Sequence, residues 1–309
     1  MEISRNQEVH LEEIESAKVS LWIKREDELH PHISGNKFRK LKYNLQEAAD
    51  KGYRTLLTFG GAYSNHISAL AYAGKMNGFK TIGIIRGDEL AVRPELVAEN
   101  PTLSFAANLG MQLEFVSREV YKSRQEEEFI TLLRERFGEF YLVPEGGTNE
   151  LAIRGCEEIL TADDGGFDYV CVSVGTGGTM AGLINSAGEG QKVLGFPSLK
   201  GDFLGQEIVK KAIRTDNWSL VNDYHFGGYA KINEKLISFI NQFYRSTTIP
   251  LDPVYTGKMM YGLLDMIRNG RFEKNCRILA IHSGGLQGID GMNQKLKNKK
   301  LPLICVGDE

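Results

Sequence analysis

An α/β fold with mainly parallel sheets covered on both faces is what this sequence predicts, and three observations carry that expectation. Short β-rich apolar runs alternate with longer segments of helical period along the chain. Glycine-rich loops fall where such a run ends and a helical pattern begins, as at strand-to-helix joints of parallel sheets. With 309 residues the chain is long enough for two lobes rather than one compact unit.

Strands are expected over residues 20–24, 55–59, 81–85, 112–116, 140–143, 168–174, 193–196, 277–281 and 302–306, each a short run rich in apolar and β-branched residues. Helices are expected over 37–49, 65–77, 126–137, 177–186 and 234–243. No internal repeat, low-complexity stretch or linker marks a boundary. In the first helix Phe38, Leu41, Leu45, Ala48 and Ala49 form one stripe, and Gly52 follows as a stop. Ser34 or Asn36 can cap its start.

That helix opens with four cations, Lys37, Arg39, Lys40 and Lys42. A helix N-terminus carries partial positive charge and free N–H donors, so an ammonium there is disfavoured unless an anion is near. Lys37 and Lys40 are three apart and project from one side of the first turn. A solvated basic face is the plain alternative.

Composition excludes several classes. Net charge is −3, with 25% charged and 42% hydrophobic residues, which provides no field suited to nucleic acid. No apolar run approaches membrane-spanning length, and Met1-Glu2-Ile3 starts no signal peptide. Cys156, Cys171, Cys276 and Cys305 are scattered without metal-ligand spacing and read as thiols of a reducing cytoplasm, so no metal site is expected.

The loops carry the chemistry. Gly175-Thr176-Gly177-Gly178-Thr179 stands between an apolar run and a helical one, where successive backbone N–H groups can hold a phosphate. No Gly-Lys-Ser/Thr follows, and Met180 replaces the third glycine of a dinucleotide fingerprint. Gly60-Gly61-Ala62-Tyr63-Ser64-Asn65-His66 also joins strand to helix. Ser64 suits an N-cap, and the segment equally suits a carboxylate; His66 alone reads no differently from a surface histidine. Asp252-Pro253-Val254-Tyr255-Thr256-Gly257-Lys258, His282-Ser283-Gly284-Gly285 and Tyr229 beside Gly227-Gly228 are each ambiguous alone. Together these pieces ask for one phosphate, an electrophile for an amine and a partner bearing a carboxylate, a set that pyridoxal phosphate with an amino acid satisfies.

On these segments, with Ser34-Gly35-Asn36-Lys37-Phe38-Arg39-Lys40-Leu41 and Pro144-Glu145-Gly146-Gly147-Thr148-Asn149, the sequence resembles the pyridoxal-phosphate enzymes of fold type II, the tryptophan synthase β-like fold. It looks most like the branch holding D-cysteine desulfhydrase and 1-aminocyclopropane-1-carboxylate deaminase. The resemblance implies two lobes, each a twisted, mainly parallel open sheet flanked by helices. Residues 1–50 and 148–309 would form a large cofactor domain, and 51–147 a small domain carrying the substrate-carboxylate loop. It implies that Lys37 holds the cofactor covalently and acts as catalytic base, while Lys40 and Gly175, Thr176, Gly177, Gly178 and Thr179 hold its phosphate. Asn65 would contact the ring hydroxyl, and Ser64, Asn65 and His66 the substrate. Tyr255 and Tyr229 would flank the substrate, and Thr256 and Ser283 would face the pyridine nitrogen. Arg39 and Lys42 gain no role and are expected in solvent. The resemblance also implies a cytoplasmic homodimer.

Thr256 and Ser283 bear on the reaction. The deaminase branch places a glutamate and a leucine at these positions. A carboxylate keeps the ring nitrogen protonated and makes a strong electron sink; a neutral hydroxyl does not. A weaker sink suits β-elimination of thiolate better than opening of a cyclopropane, which favours a D-cysteine desulfhydrase-like lyase over the deaminase. Tyr63, where relatives commonly carry glutamine, is a departure that touches the substrate. A nucleotide-binding oxidoreductase leaves the Lys37 cluster unexplained, and a non-enzymatic small-molecule-binding protein on the same fold is the remaining alternative.

Overall fold

The computed structural model describes residues 3–33, 35–201 and 203–306. In chain order its elements are β1 (Asn6–Val9), α1 (Glu12–Ala17), β2 (Ser20–Lys24), α2 (Asn36–Asp50), β3 (Thr55–Gly61), α3 (Asn65–Met76) and β4 (Lys80–Arg86). There follow α4 (Pro94–Glu99), α5 (Pro101–Asn108), β5 (Gln112–Val116), α6 (Glu127–Phe137), β6 (Tyr141–Val143), α7 (Glu150–Glu157) and β7 (Tyr169–Val174). The chain ends with α8 (Gly178–Ser186), β8 (Lys192–Pro197), α9 (Phe203–Val209), β9 (Trp218–Leu220), α10 (Glu234–Thr247), α11 (Thr256–Arg268), β10 (Arg277–Ile281) and α12 (Gly288–Asn298).

Two compact units result, one of residues 1–39 and 153–309, the other of residues 40–152. The first holds a sheet ordered β1-β2-β10-β7-β8-β9, antiparallel only at β1–β2 and parallel elsewhere. Along β7 the period-two rule sorts the core. Val170, Val172 and Val174 pack with Met180, Leu183 and Ile184 of α8, while Cys171 on the opposite face joins Leu263 and Leu264 of α11. The second unit holds a parallel sheet ordered β5-β4-β3-β6. Leu57 and Phe59 pack with Ile130 and Leu133 of α6 on one side of it.

The expected strand at 302–306 is not a strand. Asn293 of α12 donates to the Ile304 carbonyl and accepts from its N–H, and Asn241 of α10 does the same for the Leu303 carbonyl and the Cys305 N–H. Asparagine side chains satisfy backbone groups that a neighbouring strand would otherwise take.

Helix α2 also departs from the expected stripe. Leu41 and Ala48 are buried, but so are Arg39, Lys40 and Asn44, while Ala49 is exposed. Arg39 is not in solvent: it is 2% exposed and grips Glu26 with two bonds of 2.9 Å. Ser4 adds a third contact to that carboxylate at 2.6 Å. Pairing of this kind is what makes a buried guanidinium tolerable. Lys42 is exposed, over the Tyr43 ring. At the other end the Gly52 and Tyr53 N–H groups close on Ala49 and Ala48, with Gly52 at φ +75°, as a glycine stop requires.

Candidate active site

In unit 1 the strand order reverses at β7, with β8 and β9 on one side and β10 on the other. The loops after β7 and β10 therefore leave neighbouring strand ends, where open α/β sheets take ligands. The segment leading into α2 is threaded against the second loop. Gly35 has φ +63°, and a Cβ there would stand 2.0 Å from the Ser283 carbonyl oxygen. Only glycine fits. The Asn36 N–H donates to that same carbonyl at 3.2 Å.

The Lys37 amine donates to Asn36 Oδ1 at 2.9 Å, and Asn36 Nδ2 donates to Thr179 Oγ1 at 2.8 Å. One asparagine thus ties the amine to the loop that opens α8. Its side chain is spent there rather than on capping α2, and Ser34 lies outside the described residues.

That loop leaves backbone donors open. Gly177 turns it at φ +84°, and among the described residues no side chain caps α8. The first-turn N–H groups have no intrahelical acceptors and point out of the helix end. A Cβ on Gly175 would meet the Tyr255 ring at 3.1 Å, and Tyr229 packs edge-on against Tyr255 at 6.2 Å. Ser283 Oγ lies 3.2 Å from Ser173 Oγ across the β7–β10 boundary.

Thr256 is placed differently from a free ring-nitrogen partner. Its hydroxyl donates to Asp252 Oδ1 at 2.8 Å and accepts from the Asp252 N–H at 2.9 Å. The Asp252 carboxylate further accepts from the N–H groups of Val254, Tyr255 and Thr256, which ties the 252–255 turn to the start of α11. Burial pushes the Asp252 carboxyl up, and these donors oppose it. Thr256 has no proton left to donate. Ser283 does whenever Ser173 supplies the proton of their shared bond.

In unit 2 the same switch recurs. The order reverses at β3, with β4 and β5 on one side and β6 on the other, so the loops after β3 and β6 leave adjacent ends. Ser64 caps α3 by accepting from the Ile67 N–H. His66 is not a surface residue: it is 2% exposed, with Nε2 2.8 Å from Thr58 Oγ1. Because the Thr58 proton goes to the Val143 carbonyl at 2.7 Å, Nε2 must be the donor. Lys40 donates to the Gly146 carbonyl at 3.1 Å and to Thr148 Oγ1 at 2.9 Å. It therefore fastens the 146–148 loop. Among the described residues, none meets the buried Asn65 Oδ1 with a hydrogen bond.

Each unit thus gathers its own share of the expected residues. Lys37, the Gly175–Thr179 loop, Ser283, Tyr255 and Tyr229 are linked in unit 1; in unit 2 Ser64, Asn65 and His66 stand at the start of α3, and Lys40 of α2 holds the loop after β6. Asn36, Asp252 and Thr148 support them, and all three stand inside motifs already visible in the sequence.

The residues of unit 1 fit pyridoxal phosphate: the uncapped α8 terminus suits a phosphate, and Lys37 offers an amine to an aldehyde. In unit 2, taken by itself, the orphaned Asn65 acceptor suits a hydroxyl. Fold and site define a pyridoxal-phosphate enzyme of fold type II. The chain belongs to the pyridoxal-phosphate dependent enzyme family, which it matches over residues 2–284. It is similar to the bifunctional D-cysteine desulfhydrase/1-aminocyclopropane-1-carboxylate deaminase, mitochondrial, of Arabidopsis thaliana, with 33% identity over 87% of this chain and 73% of that one. It is also similar to a 1-aminocyclopropane-1-carboxylate deaminase of Ralstonia pickettii, 28% identical over 91% of each chain. A crystal structure of a homologue of that deaminase superposes with a TM-score of 0.78 at 28% identity, covering 96% of this chain and 93% of the other.

Proposed function

We propose that this enzyme is a lyase that removes the β-substituent of a small amino acid, converting D-cysteine and water to pyruvate, ammonia and hydrogen sulfide. Bound pyridoxal phosphate would supply an electron sink for negative charge at the substrate α-carbon. Lys37 would hold the cofactor and, once released from it, carry the α-proton; its bond to Asn36 supports an amine held in one place. The α8 terminus and Thr179 would bind the phosphate, and Asn65 the ring hydroxyl. Ser64 and the backbone N–H groups at the start of α3 would meet the substrate carboxylate, because the His66 ring already donates to Thr58. Lys40, which bonds the 146–148 loop, is the lysine that the family likeness assigns to the phosphate.

The observation that carries the reaction class is the Ser283 hydroxyl. The Asp252 carboxylate, the acidic group of the neighbouring turn, is enclosed by the donors of that turn, so a neutral donor is left to meet the ring nitrogen. A neutral partner leaves a weak sink, and thiolate departs without much help. The similarity to 1-aminocyclopropane-1-carboxylate deaminases supports a second reading, deamination of that amino acid to 2-oxobutanoate and ammonia. We also infer a cytoplasmic homodimer: the buried thiols Cys156, Cys171 and Cys276 suit a reducing compartment, and the dimer rests on the family likeness alone.

Protein supplied with pyridoxal phosphate should turn yellow, and borohydride followed by peptide mapping should label Lys37. D-cysteine and 3-chloro-D-alanine should yield pyruvate, with little product from aminocyclopropanecarboxylate, and Lys37→Ala should abolish turnover. The reverse substrate preference would mean that Ser283 does not set the reaction class.

A further inference from the structure

Lys258 is a buried cation for which the proposed chemistry has no use. It lies in the first turn of α11 and is 2% exposed, a position that opposes the helix dipole. Its amine donates to the His225 carbonyl at 2.9 Å and to the Gly228 carbonyl at 2.7 Å. Burial pushes this amine down to about 8, with Asp252 pulling it back up.

The loop it holds is strained. Phe226 and Ala230 have φ +53°, Gly227 +89° and Gly228 +115°, so left-handed backbone dominates the turn on which Tyr229 stands. His225 Nδ1 accepts from the Gly227 N–H at 2.9 Å, and Phe226 packs edge-on against Tyr261 of α11. Tyr229 itself is 45% exposed, and its ring meets Tyr255, the residue immediately before α11. The path closes on itself: Tyr255 leads into α11, α11 carries Lys258, Lys258 grips the loop, and the loop returns Tyr229 to Tyr255.

We propose that Lys258 is a positioning residue that clamps the 225–228 loop to α11 and so sets the Tyr229 ring against Tyr255. The proposal rests on the reading that these two tyrosines flank the substrate. Two features support it beyond the contacts themselves. A left-handed loop with two non-glycine residues does not hold its shape without an external restraint, and both Lys258 bonds end on its carbonyls. The Tyr229 ring, half in solvent, meets Tyr255 through an aromatic edge contact that a small loop shift would break.

Lys258→Met keeps the volume and removes the donor. Hydrogen–deuterium exchange on the protein without substrate should show residues 225–231 exchanging at least tenfold faster, with the rest of α11 unchanged and pyridoxal phosphate uptake within twofold of the parent. In turnover, Lys258→Met and Tyr229→Ala should each raise KM more than they lower kcat. The double variant should be no worse than the poorer single one, because both remove the same placement. Unchanged exchange at 225–231, or losses that multiply in the double variant, would overturn the clamp. Should Lys258→Met not fold, Lys258→Gln decides the matter by exchange: faster exchange confined to 225–231 supports the clamp, and loosening spread along α11 refutes it. The exchange measurement needs no substrate, so it still tests the clamp if D-cysteine is not turned over.

Discussion

Gly35 shows how much of the site hangs on one missing atom. The approach of 2.0 Å from a Cβ to the Ser283 oxygen, at φ +63°, leaves no way to accommodate alanine without moving a strand end or the start of α2. Gly35→Ala should lower stability by about 2–5 kcal/mol, from left-handed strain and overpacking together, and cut pyridoxal phosphate uptake by displacing Lys37. Urea unfolding with a midpoint within error of the parent would contradict this. Residues also mark where the sequence stopped being readable. The Lys37 cluster announced itself by charge, yet nothing in it distinguished Arg39, buried on Glu26, from Lys42, exposed beside it. Depth depends on a partner thirteen positions earlier in the chain, and periodicity cannot report that. His66 is similar, because its depth follows from Thr58 and Val143.

At the scale of elements, hydrophobic runs and glycine loops placed most strands and the helices α2, α3, α6, α8 and α10, but not α11 or α12. The missing cues were short or polar: β1 and β9 are of 4 and 3 residues, too brief for a period to emerge. The unit divisions fall within the spans of α2 and α7, where helical sequence continues and leaves no linker to see. A buried ion pair joins the end of β2 to the 161–164 turn. Lys24 is 2.9 Å from Asp164 Oδ2, and Asn6 of β1 and the Thr161 N–H also donate to that carboxylate. Burial alone would raise the Asp164 carboxyl, but these donors outweigh it and hold it below its ordinary value. A carboxyl so depressed in the folded state contributes stability above its unfolded value of about 3.9, and loses it as pH falls through the lower folded value. Asp164→Asn should therefore flatten the acid limb of the stability profile below about pH 4. At neutral pH it should cost about 3–5 kcal/mol by leaving Lys24 buried without its counter-charge. Parallel acid-unfolding curves for the two proteins would rule this out.

For the whole molecule, both sheets obey one rule, with the loops proposed to meet ligand at a reversal of strand order. The family likeness made that architecture legible, whereas strand order itself follows from long-range pairing that local pattern does not encode. The proposed substrate was the least legible feature, since that reading turns on which hydroxyl keeps a proton to give, a matter of hydrogen-bond partners and not of residue type. If the α8 terminus binds phosphate, pyridoxal phosphate at a hundredfold excess over its Kd should add about 2.7 kcal/mol of stability. Calorimetry should then show melting raised by roughly 4 °C. Lys37→Ala should retain part of the rise through the phosphate contacts alone. No shift at saturation would exclude the loop as the phosphate site.

The order of strands has a consequence in time. β2 pairs on one side with β1, only a few residues away, but on the other with β10, roughly 250 residues later in the chain. At about 5–20 residues per second on the ribosome, that edge waits some 12–50 s for its neighbour. Residues 40–152 emerge entirely within the interval. The nascent chain therefore carries an exposed strand edge through most of its own synthesis, and Lys24 at the end of that strand waits 140 residues for Asp164. Newly made protein is most open to chaperones, and to mispairing with other nascent chains, in that window.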